Sequence, residues 1–189
     1  KTSLSAAFVR LLTEPHPDAR ILAIDADPAV GLSTALGVEV RQTLDDIRKQ
    51  IVSSVEDGEP REAIELLSEA RYRIFDTMVE QQKFSFLAIG RPETAGGYCK
   101  GNAYLKEIFN LLAGDFDYVV IDGEAGIEQI NRRVMEKVTH LVLVTDPSRK
   151  GTQVIQTIKR VADDLVVCDG CGAVVGRVAG PAMIPYIRI

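Results

Sequence analysis

The residues best suited to chemistry stand at three separated points. Lys1-Thr2-Ser3 precedes an apolar helical pattern, LSAAFVRLL. An ammonium followed at once by a hydroxyl is how a phosphate-binding loop ends. The lysine neutralises terminal phosphates and the hydroxyl binds Mg²⁺. The same three residues can equally open an ordinary helix. Asp25-Ala26-Asp27-Pro28 follows the run RILAI. Two carboxylates two residues apart share one side of an extended chain. There they could orient water near a phosphate or hold water on Mg²⁺; alternatively, they cap the next helix. Asp122-Gly123-Glu124-Ala125-Gly126 follows the run YVVI. Asp122 suits an acidic element that supports Mg²⁺, and Gly123 and Gly126 allow backbone to approach a phosphate. Asp and Gly are also common in a plain strand-to-helix turn.

The elements that must position these residues alternate along the chain. Short apolar runs predict buried strands at 20–25, 84–90, 117–122, 140–146 and 172–178. Helical patterns fall at about 2–13, 30–36, 42–56, 60–82, 101–113, 129–137 and 149–163. Alternation of this kind predicts an α/β fold, with a mostly parallel central sheet and helices on both faces. Three strands end in Asp25, Asp122 and Asp146, and ligands of such sheets bind beyond the carboxyl ends of the strands. The length of 189 residues predicts one domain, 1–189. The charged stretch 42–82 reads as an insertion or a helical flank.

Apolar residues make up 46% and charged residues 26%, with a net charge of −5. That balance argues against a nonspecific nucleic-acid binder, which needs a basic face. No apolar run reaches the roughly 18 residues of a membrane span. The three cysteines, Cys99, Cys168 and Cys171, are too few for a disulfide scaffold and read as reduced thiols in a cytoplasmic protein. Cys168-Asp-Gly-Cys171 could hold zinc or a cluster, form a redox pair, or simply pack in a turn. His16 reads as an exposed loop residue and His140 as a structural one.

The order Lys-Thr, strand–DxDP, strand–DxxAG is more specific than any one of its members. It resembles the SIMIBI-class P-loop ATPases of the MinD, ParA and nitrogenase iron-protein group. The resemblance is greatest to the CooC-like branch, accessory ATPases for nickel insertion into carbon monoxide dehydrogenase. It is carried by AIDADPAVGLSTALGV, AIGRPETAGGYCKGNAYL, YVVIDGEAGIEQINRR and VTDPSRKGTQVIQTIKRV. The resemblance implies ATP or ADP with Mg²⁺ as ligands and ATP hydrolysis as the activity. Lys1 is then the P-loop lysine and Thr2 the Mg²⁺-binding hydroxyl, with Ser3 and Asp25 close to the nucleotide. Asp27 is the switch residue that positions the attacking water, Asp122 the Walker B aspartate and Gly126 the switch glycine. Cys99 matches the second cysteine of a Cys-X-Cys motif that binds metal, nickel or zinc, across a nucleotide-dependent homodimer. A client nickel enzyme such as carbon monoxide dehydrogenase is the implied partner.

The chain departs from that pattern at several points. Gly97 stands where the first metal cysteine is expected, and Gly176 stands where an adenine-reading Asn is expected. A parallel crossover needs about a dozen residues, yet only AGPAM separates VVGRV from IPYIRI. The first strand and the glycines of the loop are expected before Lys1, and further chain before Ile184. Two alternative functions are a positioning or partitioning ATPase of the MinD/ParA type and a nonenzymatic metal-binding scaffold.

Overall fold

A computed structural model of the chain describes residues 1–47, 49, 72–90, 112, 114–123, 140–165 and 185–188. Helix α1, Thr2–Thr13, buries Ser5, Ala6, Val9 and Thr13. That spacing places its inward stripe on one face. Strand β1, Ile21–Asp25, is buried at all five positions. Helix α2, Gly31–Leu36, ends at Gly37, which takes a left-handed conformation (φ 72°) and donates its N–H to Ser33 and Thr34 carbonyls. Strands β2 (Val79–Glu80), β3 (Ser85–Ala88), β4 (Tyr118–Asp122) and β5 (His140–Leu141) follow. The long helix α3, Arg149–Leu165, and strand β6, Pro185–Arg188, complete the labelled elements.

Among the described residues, six strands form one sheet in the order β2-β3-β1-β4-β6-β5. β1 pairs parallel with both β3 and β4. β6 runs antiparallel to β4 and to β5, and β2 antiparallel to β3. Four strands therefore point one way and two the other, a mostly parallel α/β sheet.

The alternation of side chains divides the core in two. Leu22, Ile24, Leu87 and Ile121 face one layer, with Leu44, Ile74, Leu112, Ile155 and Ile158. Ala23, Phe86, Ala88 and Val120 face the other, with Ala6 and Val9 of α1 and Leu32 of α2. Central strands buried on both faces need apolar residues at every position, which is why β1 and β4 read as continuous runs.

Two boundaries differ from those predicted. The helix expected over 60–82 is helical at 72–77 and has given way to β2 by Val79. The β-branched Val79 pairs with Phe86 across an antiparallel connection. Tertiary pairing with a buried strand outweighs the local helical pattern there. The strand expected over 140–146 is regular only at 140–141, with isolated bridges at 144 and 145. Asp146 is past the bridged residues. Its Oδ1 accepts the Ser148 N–H (3.0 Å) and hydroxyl (2.5 Å), at the start of α3. The expected strand 172–178, the helix 129–137 and the chain just before Ile184 lie outside the described residues. Among the described residues, no helix is long and apolar enough to cross a membrane.

Gly90 follows β3 and packs against Thr43, just ahead of the helical turn at 44–47. Its φ is 82°, and a Cβ added there would lie 2.4 Å from Thr43 Oγ1. Thr43 and Asp46 form a reciprocal cap: Asp46 Oδ2 accepts the Thr43 N–H and hydroxyl, and Thr43 Oγ1 accepts the Asp46 N–H. By contrast, Gly37 has open space around it. Gly37→Ala should therefore cost about 1 kcal/mol from its left-handed backbone alone. Gly90→Ala adds overpacking and should cost roughly 3 kcal/mol in total. Urea unfolding of the two variants separates these contributions. Equal losses would mean that the Thr43 contact matters little.

Candidate functional site

The site is assembled by strand register. Asp25 and Asp122 are partners in the β1–β4 ladder. The Ala26 N–H continues the ladder by donating to the Asp122 carbonyl at 2.9 Å. The DADP and DG turns therefore leave the sheet side by side. Helix α1 starts at the same edge, and α2 approaches its start closely: a Cβ on Gly31 would lie 3.7 Å from Thr2 Cγ2.

Lys1 is the hub of the cluster. Its side chain is 1% exposed. Nζ donates to Asp27 Oδ2 at 2.5 Å and to the Gly123 carbonyl, and lies 3.9 Å from Asp122 Oδ1. One ammonium thus ties the start of α1 to the turns that follow β1 and β4. No carboxylate occupies the first turn of α1. The positive end of its dipole therefore favours an anion.

The two aspartates of DADP do different work. Asp25 is fully buried. Its Oδ2 accepts the Leu32 N–H at 2.7 Å and its Oδ1 the Asp27 N–H at 3.1 Å. It thus pins the loop and caps the start of α2. Burial pushes its pKa up to about 6, against the pull of those two N–H donors. Asp27 is only partly buried. Burial raises its pKa, but the Lys1 hydrogen bond and the Ala29 N–H outweigh that and leave it below the usual carboxylate range. Just beyond them, Val30 sits at φ 48°, a left-handed conformation unusual for a β-branched residue. The bonds to Asp25 and Asp27 on either side of it hold the loop in that strained shape.

Asp122 is also fully buried. Burial raises its pKa, opposed by the Thr2 hydroxyl, the Lys1 charge and the Ser5 hydroxyl in turn. Ser5 Oγ donates to Oδ1 at 3.0 Å, whereas Oδ2 is buried without a hydrogen-bond partner among the described residues. An orphaned carboxylate oxygen beside a hydroxyl is a donor set that Mg²⁺ and its waters fit. Among the described residues, no three His, Cys, Asp or Glu side chains form a metal cage. Mg²⁺ does not require one, because waters and substrate phosphates supply most of its ligands.

Lys1, Thr2, Asp25, Asp27 and Asp122 therefore converge. Ser3 is exposed and stands apart from them. Gly126 and Cys99 lie outside the described residues, as do Cys168 and Cys171. Ser5 was not singled out in the sequence. Its signal was periodicity: it follows Lys1 by four residues and Thr2 by three, on the same helical face.

The raised pKa of Asp25 gives a testable sign. A carboxyl that holds its proton more tightly when folded adds stability at low pH and loses it as pH rises through about 6. Asp25→Asn removes this titration. The difference in unfolding free energy, wild type minus variant, should grow by about 1 kcal/mol from pH 7 to pH 5. Urea titrations at the two pH values measure it, and a difference that shrinks instead would contradict the raised pKa.

The chain is 37% identical over 167 residues to the uncharacterized ATP-binding protein MJ0685 of Methanocaldococcus jannaschii, covering 88% of this chain and 65% of that protein. It is 28% identical over 177 residues to the carbon monoxide dehydrogenase accessory protein CooC of Rhodospirillum rubrum, covering 89% and 67%. The chain thus spans about two thirds of the length of these relatives. Among solved structures, apo McdA of Cyanthece has the same fold, with a TM-score of 0.56 at 22% identity over 95% of this chain and 66% of that one. No family model matches the sequence. The chain is thus similar to an ATP-binding protein and to CooC, and its fold is that of McdA.

Proposed function

We propose that the chain is one P-loop domain that binds and hydrolyses ATP, and that the full protein works as a nucleotide-dependent dimeric maturation factor. The observation that carries this is the Lys1 ammonium, bonded at once to Asp27 and the Gly123 carbonyl beside the unpartnered Oδ2 of Asp122. A lysine held this way can exchange both bonds for phosphate oxygens. The glycine-rich turn that would cradle the phosphates is required immediately ahead of Lys1.

Within this reading each residue has one task. Lys1 and the positive end of the α1 dipole bind the β- and γ-phosphates and offset the charge of the transition state. The Thr2 hydroxyl and Asp122 would hold Mg²⁺, which when bound would neutralise phosphate charge. Asp27 orients the attacking water. It loses its Lys1 partner when that ammonium turns to phosphate, and a carboxylate relieved of a cation is more basic. Asp25 keeps the Asp27 loop docked on β1. Gly126 would approach the γ-phosphate. ATP and ADP would then favour different arrangements of the two turns, as a nucleotide switch requires.

The cargo and client are the finer part of the proposal. Similarity to a carbon monoxide dehydrogenase accessory protein supports delivery of a metal ion to that enzyme or a related one. Cys99 is the candidate thiolate, paired with Cys99 of a second copy. Two thiolates suit a borderline metal such as Ni²⁺ or Zn²⁺, with further ligands from elsewhere.

Full-length protein provides the test. Wild type should hydrolyse ATP in a Mg²⁺-dependent way and dimerise with nucleotide in sedimentation experiments. Asp27→Asn and Lys1→Ala should each lower kcat by about 100-fold or more. Cys99→Ala should keep the ATPase activity and lose Ni²⁺ retained by the dimer. Hydrolysis that survives Asp27→Asn and Lys1→Ala undiminished would sink the assignment of this cluster.

A further inference from the structure

One buried polar side chain touches the site without any task in the scheme above. Ser5 is fully buried on α1, one helical turn past Lys1. A serine in the interior of a helix is no better than neutral for helix formation, and a buried hydroxyl costs free energy unless it is bonded. Ser5 makes that bond across the fold rather than within its own helix: Oγ donates to Asp122 Oδ1, at the end of β4, over 3.0 Å.

The consequence falls on the other oxygen. A carboxylate held by one oxygen can rotate only about that bond, so its second oxygen is confined. In Asp122 this second oxygen, Oδ2, is the one with no partner. Lys1 lies 3.9 Å from Oδ1, too far to fix the carboxylate by a hydrogen bond. The Thr2 hydroxyl also serves Asp122, but Thr2 opens the helix, whereas Ser5 is anchored one turn deeper, where Ala6 and Val9 pack into the core.

We propose that Ser5 is a positioning residue. It holds Asp122 by Oδ1 and thereby reserves Oδ2 for the Mg²⁺–nucleotide. This rests on the P-loop reading above. Groups that orient the ligands of a metal commonly matter to metal affinity by about 10–100-fold. Without the Ser5 hydroxyl, the carboxylate is free to turn and Oδ1 loses a donor.

Mn²⁺ is the probe, its affinity for full-length protein saturated with ADP read by electron paramagnetic resonance. Ser5→Ala should weaken Mn²⁺ binding by about 10-fold. ADP affinity in EDTA should change by less than about twofold, which a general loss of packing would not spare. Ser5→Cys keeps the side-chain size with a weaker donor and should fall between Ser5→Ala and wild type, which covers the case of a poorly folded alanine variant. In an Asp122→Asn background, Ser5→Ala should produce little further loss, because it acts through that carboxylate. Unchanged Mn²⁺ affinity in Ser5→Ala, or an equal loss in both backgrounds, would overturn the role of Ser5 and leave the P-loop reading standing. A wild type that binds Mn²⁺ no better with ADP than without it would overturn both.

Discussion

Asp25 and Asp122 are neighbours in a parallel ladder, fully buried, at the same end of the sheet. Two carboxylates this close and this dry repel one another and are poorly solvated. The surrounding structure answers that cost. Asp25 takes two backbone N–H donors from the loop and helix that follow it. Asp122 takes hydroxyls from α1. The single ammonium of Lys1 stands between the turns that leave the two strands. Helix α1, helix α2 and both turns are thus placed by the need to satisfy one acidic pair.

The arrangement leaves a deliberate imbalance. Among the described residues of the cluster, three aspartates meet one lysine, and Asp122 Oδ2 has no hydrogen-bond partner. Further positive charge would relieve both deficits. An anion on the open end of α1 would at the same time draw Lys1 away from Asp27. A ligand that combines phosphates with a divalent cation does both. The physical logic of the cluster therefore suits a metal nucleotide, the ligand proposed above.

The strained segment between Asp25 and Leu32 belongs to the same logic. Val30 is held in a left-handed conformation by bonds at either side rather than by its own preference. Its carbonyl accepts the Ser33 hydroxyl at 2.9 Å, and its N–H donates to the Asp27 carbonyl. A loop kept in place by a few hydrogen bonds to carboxylates responds when those carboxylates change partners. The same strand end reaches further: the Ile89 N–H donates to the Asp25 carbonyl, and the Ile89 carbonyl accepts the Asp45 N–H. The Asp25 backbone is thus bonded to the end of β3, and that end to the helical turn beyond it.

The apolar runs ILAI and YVVI determined β1 and β4, because only buried strands need apolar residues on both faces. The pattern from Thr2 to Thr13 determined α1 for the equivalent reason of helical periodicity. Lys-Thr, DxDP and DxxAG each stayed open to a plain helix start, cap or turn in the sequence, and only their order carried the P-loop resemblance. Either reading of Asp25, as a site residue or a helix cap, was open in the sequence; in the fold it is a cap and part of the cluster at once. Tertiary structure alone decided the rest. Register set Asp25 beside Asp122, although 97 residues separate them, and sequence carries no local trace of register between distant strands. Pairing with β3 turned Val79–Glu80 into a strand against its helical surroundings. Ser5 looked like an ordinary helical serine until packing brought Asp122 within 3.0 Å of its hydroxyl. Sequence specifies which groups are available and which faces are buried; long-range pairing determines which of those groups meet.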